Sequence, residues 1–239
     1  MNTPVHVHAP PASRPWLPVV YALSAVAAIL AASQILPAAW FWVLKPLTTT
    51  LLIAHVARTP AIETDLRRWV LAGLVLSLAG DTALLWREGF LAGLVCFLCA
   101  HLAYIVGYAR RVPMFARWEP FVFYGLVAAG TLTHLWPGVP AGLRVPVVMY
   151  VLCLVAMAAQ AAAWAWFARG TPTMGRAGLA AAGGALFLTS DTLLAVDRFT
   201  QPLALRDVWV LGTYWAAQWC IAASVGRRGE AAGGRTVGV

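Results

Sequence analysis

Charge is what this 239-residue sequence has least of: Asp, Glu, Lys and Arg make up 11% of it, against 61% hydrophobic residues. A soluble core of this size could not bury so much apolar surface, so the composition excludes a soluble globular fold and assigns the chain to lipid. Lysine occurs once, as Lys45, and acidic residues nine times. No Gly-x-Ser-x-Gly elbow, no His-Glu-x-x-His helix and no Gly-rich phosphate loop occurs, which disfavours serine-triad, zinc-protease and nucleotide chemistry. The four cysteines, Cys96, Cys99, Cys153 and Cys220, lie inside apolar segments. Cys96 and Cys99 share a helical face, but thiols so placed read as packing residues rather than a disulfide framework or redox centre. His6 and His8 alternate in a proline-rich arm, a spacing that could touch a metal, but there they read as incidental. That arm, residues 1–15, lacks a basic start and a small-residue cleavage site and reads as disordered rather than as a signal peptide. Residues 227–239 read as a flexible tail.

Apolar runs long enough to cross a bilayer occur at about 16–35, 38–57, 67–86, 90–109, 118–136, 146–168, 177–196 and 206–225. At about 20 residues per span the length holds eight helices and no second domain. The expected fold is therefore an all-α integral membrane bundle of eight transmembrane helices over residues 16–226. Arginine tests the count. With eight spans, the arm, the loops after even spans and the tail fall on one side, and they carry twelve of the sixteen arginines. The opposite loops carry Arg87, Arg144, Arg198 and Arg206. This bias places both termini in the cytoplasm. Because the basic residues punctuate apolar runs, the net charge of +8 reads as a topology signal, with the lipid bilayer as partner and no nucleic acid. The chain is expected in a cytoplasmic (inner) membrane of bacterial type. Nothing in the sequence sets an oligomeric state.

At an offset of 110 residues the chain resembles itself: Gly73 through Asp81-Thr82 falls on Gly183 through Asp191-Thr192, and Tyr104 falls on Tyr214. Spans three and four are thus read as a possible repeat of spans seven and eight. Asp81 and Asp191 would then lie at matching depth in the outer half of the bilayer. A carboxylate at mid-membrane costs about 2.5–3.5 kcal/mol on insertion scales, so it faces the bundle interior and has a partner or a task. Lys45, inside span two and followed by Pro46, is a candidate ion-pair partner as much as a functional group. His101, Tyr104, Tyr214 and Gln218 bring further polar groups to spans four and eight, and together these residues could line one wet pocket. Thr48, Thr49 and Thr50 can bond to their own helix backbone and are left out of it. At the outer end of span seven, Arg198 is placed to meet a phosphate or to snorkel to the interface.

Two carboxylates sharing a low-dielectric cavity supply a general acid and a general base together. Hydrolysis of an enol ether, an ester-like lipid bond or a peptide could each use such a pair. An intramembrane aspartyl protease is one alternative, although residue 78 is Leu where that class has Gly. A proton-coupled transporter or lipid-binding protein is another.

Lys45-Pro46-Leu-Thr, Ser77-Leu-Ala-Gly80-Asp81, His101-Leu-Ala-Tyr104, Ser190-Asp191-Thr-Leu-Leu-Ala, Asp197-Arg198-Phe199 and Tyr214-Trp-Ala-Ala-Gln218 resemble, in order and spacing, the YhhN-like family of membrane proteins, which includes the lysoplasmalogenases. The likeness runs from span two to span eight. It implies an eight-helix hydrolase that cleaves the vinyl ether bond of a membrane lysophospholipid, a lysoplasmalogen, to a fatty aldehyde and glycerophosphocholine or glycerophosphoethanolamine, without cofactor or metal. On this chain it implies Asp81 and Asp191 as the catalytic acid and base. Lys45, His101, Tyr104, Ser190, Asp197, Arg198, Tyr214 and Gln218 become the substrate-binding set. Asp197 departs from the pattern, which would have an amide such as asparagine there.

Overall fold

A computed structural model describes residues 16–59 and 63–226. The arm and the tail read from the sequence lie outside the described residues. Each of the eight apolar runs folds as one α-helix: α1 (Trp16–Ala32), α2 (Phe41–Arg58), α3 (Thr64–Ala83), α4 (Phe90–Ala109), α5 (Glu119–Leu135), α6 (Arg144–Phe167), α7 (Met174–Phe199) and α8 (Arg206–Ala223). No strand occurs among the described residues. Four stretches, Ala38–Arg58, Arg87–Ala109, Ala141–Phe167 and Met174–Phe199, are long and apolar enough to cross a membrane, and α1 is a shorter apolar helix. The chain is a multi-pass, all-α membrane protein. α3 begins before its apolar run, at Thr64 and Asp65, because backbone hydrogen bonding continues past the point where side chains turn polar.

Seven helices close a ring. α1 packs on α2, α2 on α3, α3 on α4, α4 on α6, α6 on α7, α7 on α8, and α8 returns to α1. The Tyr21 hydroxyl on α1 donates to the Trp215 carbonyl of α8 at 2.7 Å, which ties α8 back to α1. α5 stands outside the ring against α6 and, more lightly, α7. Its only buried residues are Ala128 and Leu135, while Val122, Phe123 and Leu126 on its other face are exposed. Such an apolar face is suited to lipid rather than water.

Odd-numbered helices end, and even-numbered helices begin, at one end of the bundle. There Trp42 meets Trp86 at 5.3 Å between ring centroids, and Phe90 meets Phe199 at 6.2 Å. The opposite end carries the arginine-rich connections, and some of those arginines also hold the bundle together. Glu63 pairs with Arg111 and, at 3.2 Å, with Arg176. Arg176, which is buried, also donates through Nε to the Ser224 carbonyl at the end of α8 at 2.8 Å.

The two most extensive helix pairings are α3 with α4 and α7 with α8, the pairs that the 110-residue offset superposes. Each depends on a glycine at the matching position. A Cβ on Gly73 would stand 2.1 Å from the Tyr104 ring, and one on Gly183 would stand 2.6 Å from Cγ1 of Ile221. Gly73→Ala is therefore expected to force the Tyr104 ring aside and to destabilise the protein by about 1–3 kcal/mol, read by thermal unfolding in detergent. An unchanged unfolding temperature would show that the helix pair yields at no cost.

Candidate active site

A cavity of about 660 Å³ opens among the ring helices in the half where α3 and α7 end. Its wall includes Lys45 from α2, Asp81 from α3, Tyr150 from α6, Ser190, Asp191, Asp197 and Arg198 from α7, and Arg206 and Tyr214 from α8. Phe90, Leu94, Phe97, Leu154, Leu188 and Leu211 supply much of the rest. Both carboxylates that the sequence singles out thus face the same space.

Their surroundings differ. Asp81 is 1% exposed and sits among donors from other helices of the ring. Thr49 on α2 donates to Oδ2 at 2.6 Å, and Tyr214 on α8 donates to the same oxygen at 2.7 Å. Lys45 Nζ lies 3.7 Å from Oδ1, an ion pair too long for a direct hydrogen bond. Behind Tyr214 the bonds continue in one direction: Tyr104 donates to Gln218 Oε1 at 2.9 Å, and Gln218 Nε2 donates to the Tyr214 hydroxyl at 3.2 Å. Every donor in this chain points towards the carboxylate, an alignment in which each bond polarises the next. Asp191 has a single hydrogen-bond donor, the Tyr150 hydroxyl, and no cation within ion-pair distance among the described residues.

Three of the expected pocket residues do not line the cavity. His101, Tyr104 and Gln218 are fully buried behind it. The reason is depth: Gln218 lies one turn beyond Tyr214 on the same face of α8, so it supports the wall rather than forming it. His101 packs between Tyr150 (5.3 Å) and Phe187 (4.6 Å), and neither of its ring nitrogens has a hydrogen-bond partner among the described residues. Ser190 lines the cavity, but its hydroxyl donates to the Val210 carbonyl at 2.9 Å and so joins α7 to α8. Asp197 likewise lines the cavity while its oxygens are occupied, Oδ1 by the Leu203 amide at 3.0 Å and Oδ2 by Arg206 Nε at 2.9 Å. This carboxylate folds the α7–α8 connection and orients an arginine.

Thr49 and Tyr150 join the site without having been expected there. For Thr48 and Thr50 the anticipated backbone bonds exist, to the Leu44 and Pro46 carbonyls at 2.8 Å each. Thr49, however, lies one turn from Lys45 on the same face and shares its target, a spacing that could have identified it. Tyr150 carries no such signal, being one hydroxyl in a long apolar helix. Two further arginines of the loops facing away from the twelve, Arg87 and Arg206, reach the cavity beside Arg198. Arg206 is paired with Asp197 and Asp207. Arg87 and Arg198 have no carboxylate partner among the described residues, and Arg198 lies 3.7 Å over the Phe90 ring. The four cysteines are free thiols, and no three His, Cys, Asp or Glu side chains form a metal-ligand set among the described residues.

Comparison with known proteins bears on the same residues. The chain is 33% identical over 157 residues to the human lysoplasmalogenase TMEM86B, covering 63% of this chain and 60% of that protein. It is 33% identical over 168 residues to the lysoplasmalogenase of Mycobacterium tuberculosis (66% of this chain, 60% of that protein). With bovine lysoplasmalogenase TMEM86A the identity is 28% over 167 residues (65% and 64%). The chain thus spans about 60% of the length of the human and mycobacterial relatives. No solved structure matches it. The YhhN family matches residues 40–225, a stretch that begins just before α2 and takes in every lining residue of the cavity. By that match, over more than half of its length, this chain belongs to the YhhN family.

Proposed function

We propose that the protein is a membrane-embedded hydrolase that cleaves the vinyl ether bond of a lysoplasmalogen, with Asp81 and Asp191 as its catalytic carboxylates. The observation that carries this reading is the convergence of a buried aspartate, Asp81, and a half-buried one, Asp191, with different partners on one cavity. The lysoplasmalogenase names of its relatives supply the substrate class. Asp81, with three hydroxyl or ammonium partners, is suited to remain a carboxylate, and Asp191, held by one phenol, is suited to carry the proton.

In this mechanism Asp191 delivers its proton to the vinyl carbon remote from oxygen, and the oxocarbenium ion that forms is stabilised by Asp81. Water adds to that ion while Asp81 takes the proton it releases. As the hemiacetal collapses, Asp81 returns this proton to the departing glycerol oxygen and the hemiacetal hydroxyl returns one to Asp191. The products are an aldehyde and an alcohol, and both aspartates are restored. Protonation of carbon is the difficult step, and the cavity contributes to it mainly by position.

Arg87 and Arg198, at the polar end of the cavity, are the proposed phosphate contacts. Replacing either with Gln is expected to raise KM about ten- to a hundredfold with little change in kcat, since a hydrogen bond to a charged group contributes about 1.5–3 kcal/mol. A fall in kcat with KM unchanged would remove them from that role. The proposed topology has all eight helices crossing, both termini in the cytoplasm and the cavity opening to the outer face of a bacterial inner membrane, supported by the twelve-to-four arginine division.

The test is direct. Detergent-purified protein is incubated with a choline or ethanolamine lysoplasmalogen and aldehyde is measured, with the saturated ether analogue as control. Release from the vinyl ether alone supports the hydrolase; no release from folded protein rejects it in favour of transport or another lipid.

A further inference from the structure

The cavity is too shallow below its carboxylates to hold a lipid chain end-on. Leu188 on α7 lies three residues below Asp191, and Leu154 on α6 four residues below Tyr150, so the cavity reaches only about 5 Å further inward at 1.5 Å per residue. Beneath that floor are Phe187, His101, Tyr104 and Gln218, which are fully buried. A lipid chain must cover roughly half of a 30 Å hydrocarbon core. It therefore has to turn sideways.

Sideways, most walls are ring helices packed on both neighbours; α5 is not. Ala128, Thr131, Leu132 and Leu135 line the cavity at a spacing that forms one stripe of α5, about 10 Å long. The helix stands outside the ring, and its opposite face carries Val122 at 47%, Phe123 at 62% and Leu126 at 70% exposure. Only one helix thus separates the carboxylates from lipid. The stripe lines the same cavity as the acid pair and reaches inward as far as Ala128.

We infer that the Ala128–Thr131–Leu132–Leu135 stripe of α5 is the surface that receives the hydrocarbon chain of the substrate, and that these residues set which chain lengths are accepted. The inference rests on the hydrolase reading for the identity of the lipid, while its geometry is independent of the chemistry. Thr131 fits the stripe because its hydroxyl donates to the Val127 carbonyl at 3.0 Å, leaving its methyl group for contact.

Two measurements test it. The first uses binding alone: a non-hydrolysable ether lysolipid with a diazirine at the chain end is photolysed in the full-length protein, and labelled peptides are mapped. Label on α5 between residues 128 and 135 is expected, and label confined to α2, α3 or α8 would overturn the inference. The second compares vinyl ether lysolipids with long (hexadecenyl) and short (butenyl) chains. Ala128→Trp should lower kcat/KM for the long chain by about 100-fold, equivalent to losing several methylene contacts, and change the short-chain value by less than about threefold. Leu126→Trp, on the lipid-facing side of the same helix, should alter neither, and Leu132→Ala should shift the preference towards longer chains without a bulky insertion. Equal losses on both substrates in a folded Ala128→Trp protein, or no loss on either, would also overturn it. If wild type labels on α5 yet releases no aldehyde, the hydrolase reading fails and the chain-binding surface stands.

Discussion

Asp81→Asn and Asp191→Asn are each expected to lower the rate of aldehyde release about a thousandfold, within the range that positioned acid–base groups contribute. The substitutions are nearly isosteric. With an amide in place of the Asp81 carboxylate, the side-chain oxygen can still accept from the Thr49 and Tyr214 hydroxyls, which donate to Asp81 at 2.6 and 2.7 Å. An amide in place of the Asp191 carboxylate can likewise still accept from Tyr150. What each variant loses is the capacity to hold and release a proton. Elution volume in detergent should stay near wild type for both variants; the unfolding temperature should hold for Asp191→Asn, whereas Asp81→Asn also leaves the Lys45 ammonium without its carboxylate and should lower it. Because the proposed mechanism uses both groups in one proton cycle, the double variant should be about as slow as either single one. A folded double variant with full activity would end the proposal.

The second large effect concerns Lys45, the only lysine in the chain. Lys45→Met removes the ammonium 3.7 Å from Asp81 and leaves a carboxylate that is 2% exposed at its side chain without its cation. Breaking a buried ion pair from one side costs about 3–5 kcal/mol, so a large fall in thermal stability should accompany the loss of activity. Lys45→Met combined with Asp81→Asn should recover most of that stability and none of the activity. If Lys45→Met alone unfolds at the wild-type temperature, the pair is not a structural one and the lysine acts on the substrate.

How much of this is legible in the sequence follows from what each residue costs in lipid. Asp81, Asp191 and Lys45 stand out because charge inside an apolar run is expensive enough to demand a reason. The helices stand out because the runs are clean, and the repeat offset superposes the two glycines on which the α3–α4 and α7–α8 pairs close. Hydroxyl groups carry no such penalty signal. Tyr150 resembles any aromatic of a spanning helix, and Thr49 resembles neighbours that do satisfy their own backbone. His101, Tyr104 and Gln218 lie on the right faces at the wrong depth, since helical period reports direction around an axis and not distance along it. Of the arginines at the cavity mouth, Arg198 stands out by its place at the end of span seven, while Arg87 and Arg206 look like loop punctuation. That α5 is left out of the ring is not legible, because its composition is as apolar as that of its neighbours.

The closure of the ring by α8 has a consequence for biogenesis. α8 follows the other seven described helices in the chain, and it carries Tyr214, Trp215 and Gln218, so the wall around Asp81 is open until α8 has been made and docked. Until then Asp81 has only Lys45 and Thr49 of its three partners. A cavity built this way is incomplete on the polysome, and it takes its final shape only when α8 shuts the circle.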